Sequence, residues 1–206
     1  MTSIMQLARD EREDFAILLE GLTMQQWQSQ SLCDRWRVHE VVAHAIGYDP
    51  LNCRQLVRRF AKGAVTSGGA NAVGVTEFAG KSPQELVSLV RQYAEPRGLT
   101  TGFGGRIALT DSMIHQQDIR RPLGMPRAIP AKRLRTALDF ARWAPPLRGA
   151  WRARGVRLVA ADLPWSLGKG PEVSGPGEAL LMAMAGRRAA LADLDGPGKG
   201  KLAQRI

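Results

Sequence analysis

The chain has 206 residues, 44% of them apolar, which is enough for one large domain or two modest ones and too apolar for global disorder. No stretch approaches the ~20 apolar residues of a membrane-spanning helix, MTSIMQLARDEREDF lacks a signal-peptide core, and two cysteines make no disulfide framework, so a soluble, cytoplasmic protein is expected. The net charge of +10 is uneven: residues 1–125 hold 14 Lys/Arg against 13 Asp/Glu, and residues 126–206 hold 15 against 6, an asymmetry that suits an anionic ligand, nucleic acid or an acidic partner.

Ile4, Leu7, Ala8, Phe15, Leu18 and Leu22 recur at helical spacing and predict a first helix. Thr23 and Gln26 can form a capping box for a short turn carrying Trp27. Val38, Val41, Val42, Ala45 and Tyr48 form the apolar stripe of a second helix, which Pro50 kinks or ends, and the pattern resumes from Leu51 to Phe60. Residues 63–80 are rich in Gly, Ala and Ser and read as a loose connection. Ser82-Pro83-Gln84-Glu85 is a helix start with a Ser cap, Pro at the first position and Glu at the third. That helix ends near Pro96, and TTGFGG connects it to another, from Ile107 to Leu123, closed by Gly124. A further helix spans Pro130 to Trp143.

Pro145-Pro146 marks a boundary. Beyond it Val156 to Ala161 is a short β-type run, WSLGKGPEVSGPG reads as one or two hairpins, and Glu178 to Leu194 returns to helix. The expected fold is mainly α: a helical bundle over residues 1–144 and a small basic α+β domain over 145–206.

Two of the three histidines, His44 and His115, fall on separate predicted helices. At 100° per residue, Ile107, Asp111, Ile114, His115 and Asp118 share roughly 100° of arc. The apolar members of that face turn three ionisable groups inward, where burial is costly unless they are paired or coordinate a metal. His44 lies at the edge of its stripe beside Val41 and Tyr48 and can point into the same interior. Two imidazoles and a carboxylate leave coordination positions open, the mark of a catalytic rather than a structural metal, and zinc suits such donors. His39, rotated about 140° from His44, reads as a solvated or capping residue. The same spacings admit plainer readings: Asp111 paired with His115 or an arginine, His44 as hydrogen-bonded core, and Asp118 bridged to Arg121.

Cys33 and Cys53 have no second Cys or His at ligand spacing and are not expected to bind metal. Arg142, Arg148, Arg152, Arg154 and Arg157 interleave with Trp143 and Trp151, which fits either a nucleic-acid surface or a solvated basic one. No recognisable nucleic-acid module accompanies them, and the solvated surface is the preferred reading. The two G-K-G segments, at 168–170 and 198–200, lack the rest of a phosphate-binding loop, and G-x-S-x-G is missing.

Residues 32–47, LCDRWRVHEVVAHAIG, resemble the histidine-bearing helix of the mycothiol-dependent maleylpyruvate isomerase family, within the DinB-like four-helix metal-binding superfamily. DSMIHQQDIRRPLG resembles its second metal helix, and VRLVAADLPWSLGKGPEVSGP, ALLMAMAGR and the closing L-x-G-x-G…L-x-x-R pattern resemble its tail. The resemblance touches about half the chain, in the family's order. It implies a DinB-like four-helix bundle at the N-terminus, metal ligands at His44, Asp111 and His115, and a substrate-holding arginine at Arg187. Asp118 then stands behind the ligands, orienting one of them or an arginine. The characterised isomerase type carries Glu where this chain has Asp111, so the shorter carboxylate has to approach more closely or act through a water.

The implied cofactors are a divalent metal and mycothiol or a similar thiol, which a metal deprotonates near neutral pH. Addition to an activated double bond gives cis–trans isomerisation, and attack on an electrophilic carbon gives S-transfer. The implied partners are a small anionic substrate and a small thiol, with neither membrane nor nucleic acid. The alternatives are a non-catalytic metal-binding or regulatory protein of the same fold and, more distantly, a basic nucleic-acid-associated protein.

Overall fold

In the computed structural model, which describes residues 2–206, helix α1 (Ile4–Glu20) starts where the Ser3 hydroxyl accepts the Gln6 N–H. A capping box between Thr23 and Gln26 starts α2 (Met24–Trp27), and α3 (Val38–Ile46) follows. Asn52 and Gln55 box the start of α4 (Cys53–Ala64), and Ser82 and Glu85 that of α6 (Pro83–Gln92). Between them lies α5 (Gly69–Phe78). A 3-10 turn (Gly98–Thr101) leads into α7 (Arg106–Arg120).

Helix α1 packs on both α6 and α7, and α3 packs on the same two, which closes a four-helix bundle. Its core holds Phe15, Leu19, Trp27, Val38, Val41, Val42, Leu86, Val90 and Ile119, each large side chain contributing about 1.5–3 kcal/mol by burial. Phe15, Leu18, Leu22, Val38, Val41, Val42 and Ala45 of the stripes read from the sequence lie in this core, whereas Val57 and Phe60 of the pattern expected to resume over residues 51–60 are exposed. Helix α7 is buried on nearly every side, and its Gln116 amide is satisfied by α1, donating to the Glu11 carbonyl at 2.9 Å and to its carboxylate at 2.8 Å. Asp49, just after α3, accepts from the Arg12 guanidinium at 2.8 and 3.0 Å and from the Thr100 hydroxyl at 2.7 Å.

Helix α5 occupies the stretch expected to be loose. Its own sequence does not specify it; its docking does. A Cβ on Gly63 would lie 2.3 Å from the Ala70 nitrogen, so α4 and α5 cross where no side chain intervenes. The Arg59 guanidinium covers Gly74, and Phe78 is buried.

A first compact unit ends at Pro126 and a second begins at Arg127. The division expected at 144/145 therefore falls earlier. Helix α8 (Ala131–Ala141) turns Leu134, Ala137, Leu138 and Ala141 inward and packs on α10 (Gly177–Met184), so Pro145-Pro146 is a turn inside the second unit. After α9 (Gly149–Arg152) come β1 (Arg157–Ala160), β2 (Ser166–Gly168) and β3 (Glu172–Gly175), in the order β2-β1-β3. Only β1 and β2 form a hairpin, with Leu158 opposite Leu167; β3 runs parallel to β1 with Val173 opposite Leu158. Gly168 and Gly170 have positive φ and sit against the Val156 and Gly155 carbonyls, which accounts for that G-K-G segment without a phosphate. Gly186, at φ 89°, ends the expected 178–194 helix early; a 3-10 turn (Arg188–Asp193) and α11 (Lys199–Ala203) complete the unit. Among the described residues no helix is long and apolar enough to cross a membrane.

Candidate metal centre

Packing of α3 on α7 brings His44 to Asp111 and His115. One donor atom from each of the three lies within 4.8 Å of the others. His115 Nε2 is 3.4 Å from Asp111 Oδ1, and the two imidazole rings meet nearly edge to face, centroids 4.9 Å apart at 87°. Zinc bonds of about 2.0–2.2 Å make tetrahedral donor–donor edges of about 3.3–3.6 Å. The His115–Asp111 separation already has that length, so the three residues fit a divalent ion and the aspartate reaches without the extra methylene of glutamate.

Behind the ring, His115 Nδ1 stands 2.9 Å from Asp118 Oδ2, and Asp118 is fully buried. The Asp118 backbone carbonyl accepts the Leu32 N–H at 2.9 Å, tying α7 to the loop before α3. A histidine whose Nδ1–H is taken by a carboxylate presents its Nε2 lone pair outward, the usual arrangement behind a metal-bound imidazole. Burial pushes the His115 pKa down, but the charge and hydrogen bond of Asp111, then Asp118 and Cys33, outweigh it and hold it well above 6.5. Burial likewise pushes Asp111 up, but His115, His44 and Arg12 bring it below 3.8. Without metal the pair is thus an imidazolium between two carboxylates, and the ion-pair and metal readings of the sequence describe one geometry in two states.

The His44 ring is walled by Trp36, centroids 4.8 Å apart, and by Tyr48, edge-on at 6.2 Å. Burial is the main reason the Tyr48 phenol titrates above 10.0, with Asp111 adding to it against Arg59. The Tyr48 hydroxyl donates to Asn71 on α5 at 2.6 Å, and Arg59 on α4 lies 5.2 Å from its ring centroid. The α4–α5 pair thereby props the histidine-bearing helix.

His39 lies outside this cluster. Its Nε2 sits 2.8 Å from the Lys81 carbonyl, so it is a bonded bundle residue rather than a solvated one. Cys33, which has no His at ligand spacing in the sequence, lies beside His115 and Asp118 in the fold. The loop that carries it is clasped by Gln30, which donates to the Cys33 and Trp36 carbonyls at 2.8 and 2.9 Å. Its Sγ lies 3.2 Å from Asp118 Oδ2, and Cys33, His115 and Asp118 form a donor cluster of their own. Eighty-five residues separate Cys33 from Asp118, so no local spacing signals the contact.

Arg187 lies in the second unit, immediately before the 3-10 turn, and donates to the Ala185 carbonyl at 2.9 Å. Arg152 donates to the Leu147 carbonyl and, at 2.8 Å, to the Met184 carbonyl; burial, then Arg148 and Arg187, lower its pKa below the ordinary arginine value. Arg148 stacks on Trp151 at 4.4 Å. Much of the basic and aromatic run is therefore engaged within the unit.

Residues 8–98 match the family model for the mycothiol maleylpyruvate isomerase N-terminal domain. No curated protein sequence matches the chain significantly. Among solved structures, the chain is similar to a crystal structure of the mycothiol-dependent maleylpyruvate isomerase, with a TM-score of 0.56 at 15% identity over 95% of this chain and 92% of that one. A histidine-to-alanine mutant of that enzyme gives a TM-score of 0.55 at 14% identity over the same shares. At such identity the likeness establishes the fold: a helical N-terminal bundle followed by a small α+β unit.

Proposed function

From the match of residues 8–98 to the mycothiol maleylpyruvate isomerase N-terminal domain, we propose that the chain is a metal- and thiol-dependent isomerase or S-transferase acting on a small anionic electrophile. His44, Asp111 and His115 hold a divalent ion, zinc by donor chemistry. When bound, that ion supplies the Lewis acidity that keeps mycothiol or a similar thiol as thiolate near neutral pH. Asp118 accepts the hydrogen bond of the His115 Nδ1–H and so fixes the tautomer that leaves Nε2 a ligand. Trp36 and Tyr48 limit rotation of His44 and keep water from its flanks. Arg187 binds the substrate carboxylate, and the surplus of 15 Lys/Arg over 6 Asp/Glu in residues 126–206 raises the local concentration of anions.

The observation that carries the reading is the convergence of two imidazoles and a carboxylate from α3 and α7, with a buried carboxylate behind one imidazole. The test is turnover of maleylpyruvate and of generic electrophiles by zinc-loaded protein, with and without mycothiol. Turnover should require both thiol and metal. His115→Ala should lose the metal, His39→Ala should keep it, and Arg187→Ala should raise KM more than it lowers kcat. Full activity without thiol rules out the thiol's role. Bound metal with no turnover for any thiol makes the protein a non-catalytic metal-binding relative.

A further inference from the structure

Cys33, His115 and Asp118 meet on the side of the His115 ring that faces away from Asp111. Cys33 Sγ is 3.2 Å from Asp118 Oδ2, and that oxygen is 2.9 Å from His115 Nδ1. The three donor atoms lie within 4.8 Å of one another. Zinc-type bonds of about 2.3 Å to sulfur and about 2.0–2.2 Å to nitrogen and oxygen give donor–donor edges of about 3.3–3.7 Å. The two edges that meet at Asp118, 3.2 and 2.9 Å, are already close to that length. Cys33 is partly exposed, which gives an ion a way in.

We propose that Cys33, His115 Nδ1 and Asp118 form a second metal site, one that takes soft, thiophilic divalent cations and competes with the His44–Asp111–His115 site for the His115 ring. A neutral imidazole has one lone pair. With the proton on Nδ1, bonded to Asp118, the lone pair on Nε2 serves the first site. With the proton on Nε2, facing Asp111, the lone pair on Nδ1 serves the second. On binding to the metal-free protein, a sulfur–metal bond forms and both the Cys33 thiol proton and the His115 Nδ1 proton leave to buffer; where the ion displaces a metal from Nε2, the proton held on Nδ1 leaves and Nε2 takes one up from buffer. Thiolate donors favour soft cations, so such an ion draws His115 away from the first site. This proposal stands whether or not the protein is a catalyst.

The probe is cadmium, titrated alone into metal-free protein carrying Cys53→Ser, which removes the exposed second thiol. The expected result is an ultraviolet thiolate-to-cadmium charge-transfer band. It should persist in His44→Ala and Asp111→Asn, disappear in Cys33→Ser, and need more cadmium in Asp118→Asn, which replaces a carboxylate ligand by a neutral amide. Circular dichroism confirms that each variant is folded. In zinc-loaded protein, cadmium should release the zinc to a chromophoric indicator in the parent and not in Cys33→Ser. No band in the parent, or a band that survives Cys33→Ser, overturns the site. A band without zinc release overturns the sharing of His115. Loss of zinc binding in His44→Ala with the band retained separates this site from the first.

Discussion

Asp118→Ala isolates what the buried carboxylate does for the metal centre. It removes the acceptor 2.9 Å from His115 Nδ1 and leaves the three metal-binding side chains in place. Loss of a partner behind a metal-bound histidine weakens metal affinity by about 10–100-fold, equivalent to about 1.4–2.7 kcal/mol. The upper part of that range is expected here, because His115 is 5% exposed and Asp118 0%, so no bulk water replaces the lost acceptor. Asp118→Asn keeps the shape with a neutral acceptor, and since a charge-assisted bond is roughly twice as strong as a neutral one, its loss should fall near the lower end. The assay is competition for zinc against a chromophoric chelator at fixed pH, with thermal melts confirming that both variants fold. Affinity of Asp118→Ala within about twofold of the parent refutes the reasoning, because this range begins near tenfold.

The metal-free protein should lose stability at both pH extremes for opposite reasons. His115, raised well above 6.5, gives stability that is complete below pH 6.5 and lost as pH rises through its folded value; Asp111, lowered below 3.8, gives stability present above pH 3.8 and lost as pH falls through its folded value. Melting in chelator should show the alkaline decline in the parent and not in His115→Ala, and a parent that gains stability above pH 6.5 refutes the assignment. Metal stabilisation should run the other way, growing with pH as protons leave His115. Arg12→Ala breaks a pair with side chains 2% and 0% exposed and should cost about 3–5 kcal/mol in urea unfolding. Arg9→Ala, which breaks an exposed pair with Glu13, should leave the urea midpoint nearly unchanged. Gly63→Ala drives a Cβ against Ala70 and should cost about 1–3 kcal/mol, with the Tyr48–Asn71 prop weakened.

The donors were legible because helices impose short-range order. Asp111, His115 and Asp118 share one face of α7 through i+4 and i+3 spacing, and that geometry holds wherever the helix is placed. Capping boxes at Thr23 and Ser82 fixed two helix starts for the same reason: their partners lie three residues away. His44 was readable as an inward-facing candidate from its stripe alone. Its meeting with His115 was an inference, which the packing of α3 on α7 realises.

What needed the tertiary structure lies far apart in the chain or depends on a neighbour's shape. Cys33 reaches Asp118 across 85 residues through a loop whose conformation is set by Gln30 and Ser31, not by any repeat. Helix α5 has weak intrinsic preference and forms because Gly63 lets α4 approach it. Helix α8 joins the second unit because its apolar face finds α10, a choice that a boundary drawn at a proline pair does not contain. The parallel pairing of β3 with β1 is likewise non-local, since turn residues mark where a strand ends but not which edge it joins. By itself the sequence determined the helices of the bundle and the chemistry each presents, because periodicity and capping act over a few residues. Only packing decided which of those side chains meet, because contact between distant segments depends on how their surfaces fit.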